Sequence, residues 1–257
     1  MENNDIFDDI TDQLDRMGIK TEKPIVHAIF IKDHSGSMAQ LTPDGGQRRK
    51  DLAKSNFNEQ LVKIKREAKE VFTTVTLVEF DDRVYVGGKP FVDATAETVG
   101  YDVSDLNELT NWWTGGSTSL RDAIGASIGV GSTLLSDNDQ DDQSVLVMIL
   151  TDGEENSSTE WSDEQIRSKI KSLEDSGRWT FTFMGGQLQA SNMVANMGFS
   201  VGNTRSMSQT TASYSSSTKM SASGLDKYYN MRKRGETATK EFFTEDDKWQ
   251  QKERESI

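Results

Sequence analysis

Three times in this chain a short apolar run rich in β-branched and aromatic residues ends abruptly in a polar loop. The runs are "IVHAIFI" (25–31), "VLVMIL" (145–150) and "WTFTFM" (179–184). Runs this short and this continuous read as strands buried on both faces, not as half-exposed ones. Between them lie helical patterns: Ala53, Phe57, Leu61, Ile64 and Ala68; Leu120, Ile124 and Ile128; then Ile166, Ile170 and Leu173 with a glycine stop. Strands alternating with helices of this length require right-handed crossovers. The expected fold is therefore α/β, doubly wound and Rossmann-like, with a mostly parallel central sheet and helices on both faces. The stretches "VFTTVTLVEF" (71–80) and "RVYVGGKPF" (83–91), separated by Asp81 and Asp82, predict one antiparallel edge hairpin, with those two aspartates as turn residues.

The 257 residues suit one large domain with extensions better than two complete domains. The expected core runs over 24–202. Before it, residues 1–23 predict an acidic helical extension whose stripe of Ile6, Ile10, Leu14 and Met17 should seek cover on the domain or on another subunit. After it, 203–234 is Ser/Thr-rich and reads as partly helical. Residues 235–257 read as a charged, mobile tail in which Phe242, Phe243 and Trp249 are scattered among charges. A formal net charge of −13 argues against nucleic acid or an anionic membrane as a partner, since both would be repelled. No cysteine occurs, which removes disulfides, thiolate chemistry and cysteine-ligated metals. With an acidic N-terminus and no apolar run of spanning length, the expected location is the cytoplasm.

Loops leaving the carboxyl ends of parallel strands line the crevice where α/β proteins bind ligands. Here they carry short oxygen-bearing side chains: Asp33, Ser35 and Ser37 in "DHSGSM", Thr118 in "TGGSTSL", and Asp152 in "LTDGEE". In this order along the chain the set resembles the metal-ion-dependent adhesion site of the von Willebrand factor type A family, over roughly residues 24–202. The segment "GRWTFTFMGG" resembles stand-alone bacterial and phage members. The resemblance implies the fold of that family and a Mg²⁺ or Mn²⁺ ion held by Asp33, Ser35, Ser37, Thr118 and Asp152. In it the serine and threonine hydroxyls bind directly, and the aspartates act largely through water or through those hydroxyls. Magnesium prefers six oxygens and keeps water when a protein supplies few ligands. The cation is then left underneutralised and draws a Glu or Asp carboxylate from a partner protein.

Ser117 and Ser119 flank Thr118 and offer the same hydroxyl one position away. Gly115 and Gly116, beside Thr118, are expected to let their loop approach the metal closely. "DNDQDDQS" (137–144) lacks the glycine and glutamate of a calcium loop and reads as a solvated connection. His34 reads as a solvent-facing loop residue, and Trp112 and Trp113 as core packing ahead of partner anchors. Asn156-Ser157-Ser158 fits a glycosylation acceptor by pattern only. The expected function is a non-enzymatic, metal-dependent protein-binding module. The alternatives are a metal-dependent hydrolase or phosphate-acting enzyme with His34, Glu154 or Glu155 as base, and a self-assembling component in which one copy's acidic residue caps another's metal, giving a homo-oligomer. No phosphate-cradling glycine loop and no nucleophile elbow occurs to favour catalysis.

Overall fold

The computed structural model describes residues 23–135 and 142–243. The expected N-terminal stripe (Ile6, Ile10, Leu14, Met17), Trp249 and most of the 137–144 connection lie outside them. Strand β1 (Ile25–Asp33) is buried along its whole length, as its composition demands. It pairs in parallel with β2 (Phe72–Phe80) on one side and β6 (Gln143–Leu150) on the other. Beyond β6 come β7 (Trp179–Gly185) and the short β8 (Thr204–Ser206), both parallel. On the other edge β3 (Val84–Val86) and β4 (Lys89–Pro90) run antiparallel, and β5 (Tyr101–Asp102) pairs with the start of β2. The main path is β4-β3-β2-β1-β6-β7-β8. This is the mixed, mostly parallel sheet with an antiparallel edge that the sequence predicts. Asp81 makes the β2–β3 turn by accepting the amide of Arg83 on its carboxylate at 2.9 Å. The β3–β4 turn is Gly87-Gly88, with φ of 58° and 81°, a pair of left-handed conformations that glycine adopts without strain.

The period-two alternation of a strand divides the core into two layers. Val26, Ala28 and Phe30 of β1 join Leu146, Met148 and Met184 under helices α1 (Arg49–Glu67) and α5 (Thr211–Lys233). Ile29, Ile31, Val147, Ile149, Phe181 and Phe183 face the other way, under α2 (Leu120–Leu134), α3 (Asp163–Asp175) and α4 (Gln187–Met197). Helix α3 starts at a capping box, Ser162 with Gln165, and buries Ile166 and Ile170 completely.

The domain does not end at 202. Strand β8 adds to the sheet after that point, and α5 covers one face of it. Nor does a solvated tail begin at 235: Phe242 and Phe243 are buried against α5, with the Phe242 amide donating to Asn203 Oδ1 at 2.8 Å. Two aromatic rings removed from water contribute roughly 2–3 kcal/mol each, which explains why the chain returns to the body. Helix α5 accepts Phe242 where Gly224 leaves room for its ring, beside Tyr228 at 6.4 Å between centroids.

Candidate functional site

Strands β1 and β6 are neighbours, yet the chain leaves them toward opposite faces, to α1 and α3 respectively. Their carboxyl ends therefore open a crevice at the switch point of the sheet. Asp33, the last residue of β1, sits fully buried in it. Its Oδ1 accepts the Ser35 amide at 2.7 Å and its Oδ2 accepts the hydroxyl of Thr151, just past β6. Burial pushes the Asp33 carboxyl above its ordinary value, the Ser35 and Thr151 bonds oppose that, and the neighbouring Asp152 adds to it. Ser37 donates to Asp152 Oδ1 at 2.8 Å, and Ser35 Oγ lies 3.0 Å from Ser37 Oγ. Because the single proton of Ser37 goes to Asp152, Ser35 is the donor to Ser37. The Ser35 oxygen then offers its lone pairs.

Thr118 arrives from the third loop. The Gly115 amide donates to the His34 carbonyl at 2.8 Å, and the Gly36 amide to the Gly116 carbonyl at 3.2 Å, so the two loops lie edge to edge. Gly116 has φ of 62°, and a Cβ there would sit 2.6 Å from Asp82 Oδ1. The left-handed backbone there favours glycine. The Thr118 amide donates to Asn156 Oδ1 at 2.9 Å, and its carbonyl accepts from the amides of Asn156 and Ser157. Gly153 completes the cradle: a Cβ on it would lie 3.1 Å from Thr118 Oγ1 and 3.2 Å from Asp33 Oδ2. Thr118 therefore stands beside Asp33, whereas Ser119 turns its hydroxyl to Ser157, 2.9 Å away, and Ser117 is exposed. The five residues singled out in the sequence, Asp33, Ser35, Ser37, Thr118 and Asp152, come together in one crevice.

Some neighbours differ from expectation. His34 is not solvent-facing but fully buried, because Trp112 and Trp113 stack on its ring at 5.2 and 4.1 Å between centroids. Its Nδ1 donates to the Trp113 carbonyl at 2.6 Å, and its Nε2 lies 3.2 Å from Glu79 Oε1. Trp112 is core, while Trp113 keeps 37% of its surface exposed. Asn156, a glycosylation pattern in the sequence, braces Thr118 through its amide oxygen. Glu155 is taken up by the amides of Arg121, Ser157 and Ser158.

Four contributors carry no sequence signal of their own: Thr151, Gln209, Tyr214 and Arg49. Gln209, just before α5, donates to the Asp152 carbonyl at 3.0 Å. The Tyr214 hydroxyl is buried with no hydrogen-bond partner among the described residues. Burial pushes its phenol well above the ordinary tyrosine value, with Asp152 adding to the effect. Arg49, the first residue of α1, places Nη1 2.5 Å from Asp152 Oδ2.

Two buried carboxylates against one guanidinium leave a formal deficit of one positive charge. Among the described residues no group of three or more His, Cys, Asp or Glu side chains could hold a metal, so a cation here would depend on hydroxyls. Compact neutral oxygens with two carboxylates beside them, in a cradle closed tightly around Gly153, fit a small hard cation such as Mg²⁺.

No protein-family model and no curated protein matches the sequence. Solved structures do share its fold. The pilus adhesin SpaC from Lactobacillus rhamnosus GG superimposes with a TM-score of 0.54 at 14% identity, over 84% of this chain and 31% of that one. A minor pilin, PilB, from Streptococcus sanguinis gives 0.49 at 13% identity, over 84% of this chain and 63% of that one. A von Willebrand factor type A protein from Catenulispora acidiphila gives 0.45 at 13% identity, over 84% and 43%. The chain thus spans less than two thirds of the length of each. At these identities the likeness to SpaC, with its TM-score above 0.5, shows a shared fold and nothing of function.

Proposed function

We propose that the chain is a protein-binding module that holds Mg²⁺ or Mn²⁺ through Asp33, Ser35, Ser37, Thr118 and Asp152 and uses it to capture an acidic side chain of a partner. The observation that carries this reading is the bonded series Ser35–Ser37–Asp152 closed by Asp33 and Thr118, contributed by three separate loops. When bound, the cation supplies a site for an external carboxylate oxygen. The protein's part is orientation. Asp33 fixes the loop through the Ser35 amide, Asp152 fixes Ser37, and Asn156 fixes Thr118, so the hydroxyls are preorganised without using up their lone pairs. Gly36 and Ser117 are exposed and Ser37 is half-buried, which leaves the mouth open to a macromolecule. A hydrolytic reading has less support. His34 is enclosed by two tryptophans and Glu155 is engaged by backbone amides, which leaves only the exposed Glu154 of the three candidate bases.

Calorimetric titration with Mg²⁺ and Mn²⁺ tests the reading. Wild-type protein should bind both ions, Asp33→Ala and Asp152→Ala neither, and Thr118→Ala more weakly, all with unchanged circular dichroism. Wild-type protein that takes up neither ion would sink it.

A further inference from the structure

Arg49 places a buried guanidinium at the metal site. Its Nη1 reaches Asp152 Oδ2, and its Nε has no hydrogen-bond partner among the described residues. Burying an incompletely bonded cation is unfavourable for the fold alone, since the desolvation cost offsets much of the ion pair. Its value lies in the charge count. Asp33, Asp152 and Arg49 sum to −1, so a divalent cation brings the site to +1; without Arg49 the same cation brings it only to neutrality. A carboxylate entering the loaded site then ends at neutrality with the arginine and at −1 without it.

We infer that Arg49 is the residue that sets this site for an anionic ligand: a fixed counter-cation that competes with the metal for Asp152 and keeps the loaded site net positive. The inference rests on the metal-dependent reading above and adds to it a trade between two affinities. Removing the charge strengthens the metal, because Asp152 is released and a like charge disappears. The same change weakens the carboxylate, because the site no longer carries excess positive charge.

The test uses the whole chain and its Arg49→Gln and Arg49→Lys variants. Mg²⁺ affinity is read by calorimetry, and acetate, as the carboxylate probe, is titrated into Mn²⁺-loaded protein while water-proton relaxation is followed. Arg49→Gln should bind Mg²⁺ about tenfold more tightly and acetate about tenfold more weakly. Arg49→Lys keeps the charge and should lie nearer wild type on both. Should the glutamine variant unfold, Arg49→Met keeps the packed stem and repeats the measurement. Affinities that move in the same direction, or do not move, overturn the inference while leaving the metal reading intact. Wild-type protein that binds no metal overturns both.

Discussion

Trp112 donates its indole N–H to the carbonyl of Asp33 at 2.9 Å. That bond joins the loop carrying Thr118 to the end of the strand carrying Asp33. The same ring stacks on His34 and lies 4.7 Å from the Lys32 ammonium, so three consecutive residues of β1 and its loop are held by one side chain. Trp112→Phe keeps an aromatic ring and removes the donor. The buried carbonyl left behind should cost about 1–2 kcal/mol in urea unfolding. Mg²⁺ affinity should fall as well, since Thr118 loses part of its register with Asp33. An unchanged unfolding midpoint would show that the loop is held by its other bonds alone.

What could be read in the sequence follows from where burial comes. Strands β1, β6 and β7 are legible because both faces are covered and each carries a run of apolar residues rich in β-branched and aromatic side chains. Helix α3 is legible through its capping box and its Ile166–Ile170 stripe. The site loops are legible because they begin where those strands stop. Arg49 is not, since "QRRK" reads as an ordinary charged helix start and nothing local points it at a residue 103 positions away. His34 is hidden for the same reason: its cover is Trp112 and Trp113, distant in sequence. Helix α5 is legible only as a partly helical segment, because its buried face mixes Ser213, Ser217, Ser221 and Gly224 with Tyr214, Leu225, Tyr228 and Tyr229, so that serines interrupt the apolar stripe. Strand β8, three polar residues, has no pattern long enough to detect.

The end of the packed domain can be measured directly. A Cβ on Gly224 would lie 2.2 Å from Phe242 Cε1, so the ring fills the space that this glycine leaves on α5. Phe242→Ala should cost about 3–5 kcal/mol, the usual consequence of emptying a fully buried aromatic position. Truncation after residue 234 should cost at least as much. Chemical denaturation is the readout, and a truncated protein as stable as the full chain would return the boundary to the end of α5.

Stability should fall on mild acidification through His27. It is buried in β1, with Nδ1 2.8 Å from Thr74 Oγ1 and Nε2 3.3 Å from Gln143 Oε1, and burial lowers its pKa from 6.5 to about 4, with Arg178 contributing in the same direction. The folded state therefore resists a proton that the unfolded state accepts. The stabilisation is complete above pH 6.5 and is lost as pH falls from there to about 4, by roughly 3 kcal/mol. A second loss belongs to Glu79. Burial would raise it, but His34 and Lys32 together hold it down to about 2, so its contribution is lost only below its ordinary 4.5. Urea midpoints from pH 7 to 4 should decline in wild type and stay flatter in His27→Gln. Parallel curves for the two proteins would assign the acid sensitivity elsewhere.

Gly153→Ala isolates the cradle from the ligands. Gly153 lies outside the left-handed region, so alanine can adopt its backbone without strain, and the substitution removes no charge, hydroxyl or hydrogen bond. What it adds is a methyl carbon 3.1 Å from Thr118 Oγ1 and 3.2 Å from Asp33 Oδ2. Contacts that tight force one of the two oxygens outward by a few tenths of an ångström, because Asp33 is fully buried and has little room to move. Thr118, on a loop, is the group that should yield. Displacing a donor oxygen by that amount should weaken Mg²⁺ on the order of tenfold, the scale at which altered support around a metal is felt. The unfolding midpoint without metal should barely change. Calorimetry on this variant beside Thr118→Ala checks the argument, for if Thr118 is the displaced oxygen the two losses will not add in the double variant. Full additivity would mean that the methyl acts through Asp33 instead.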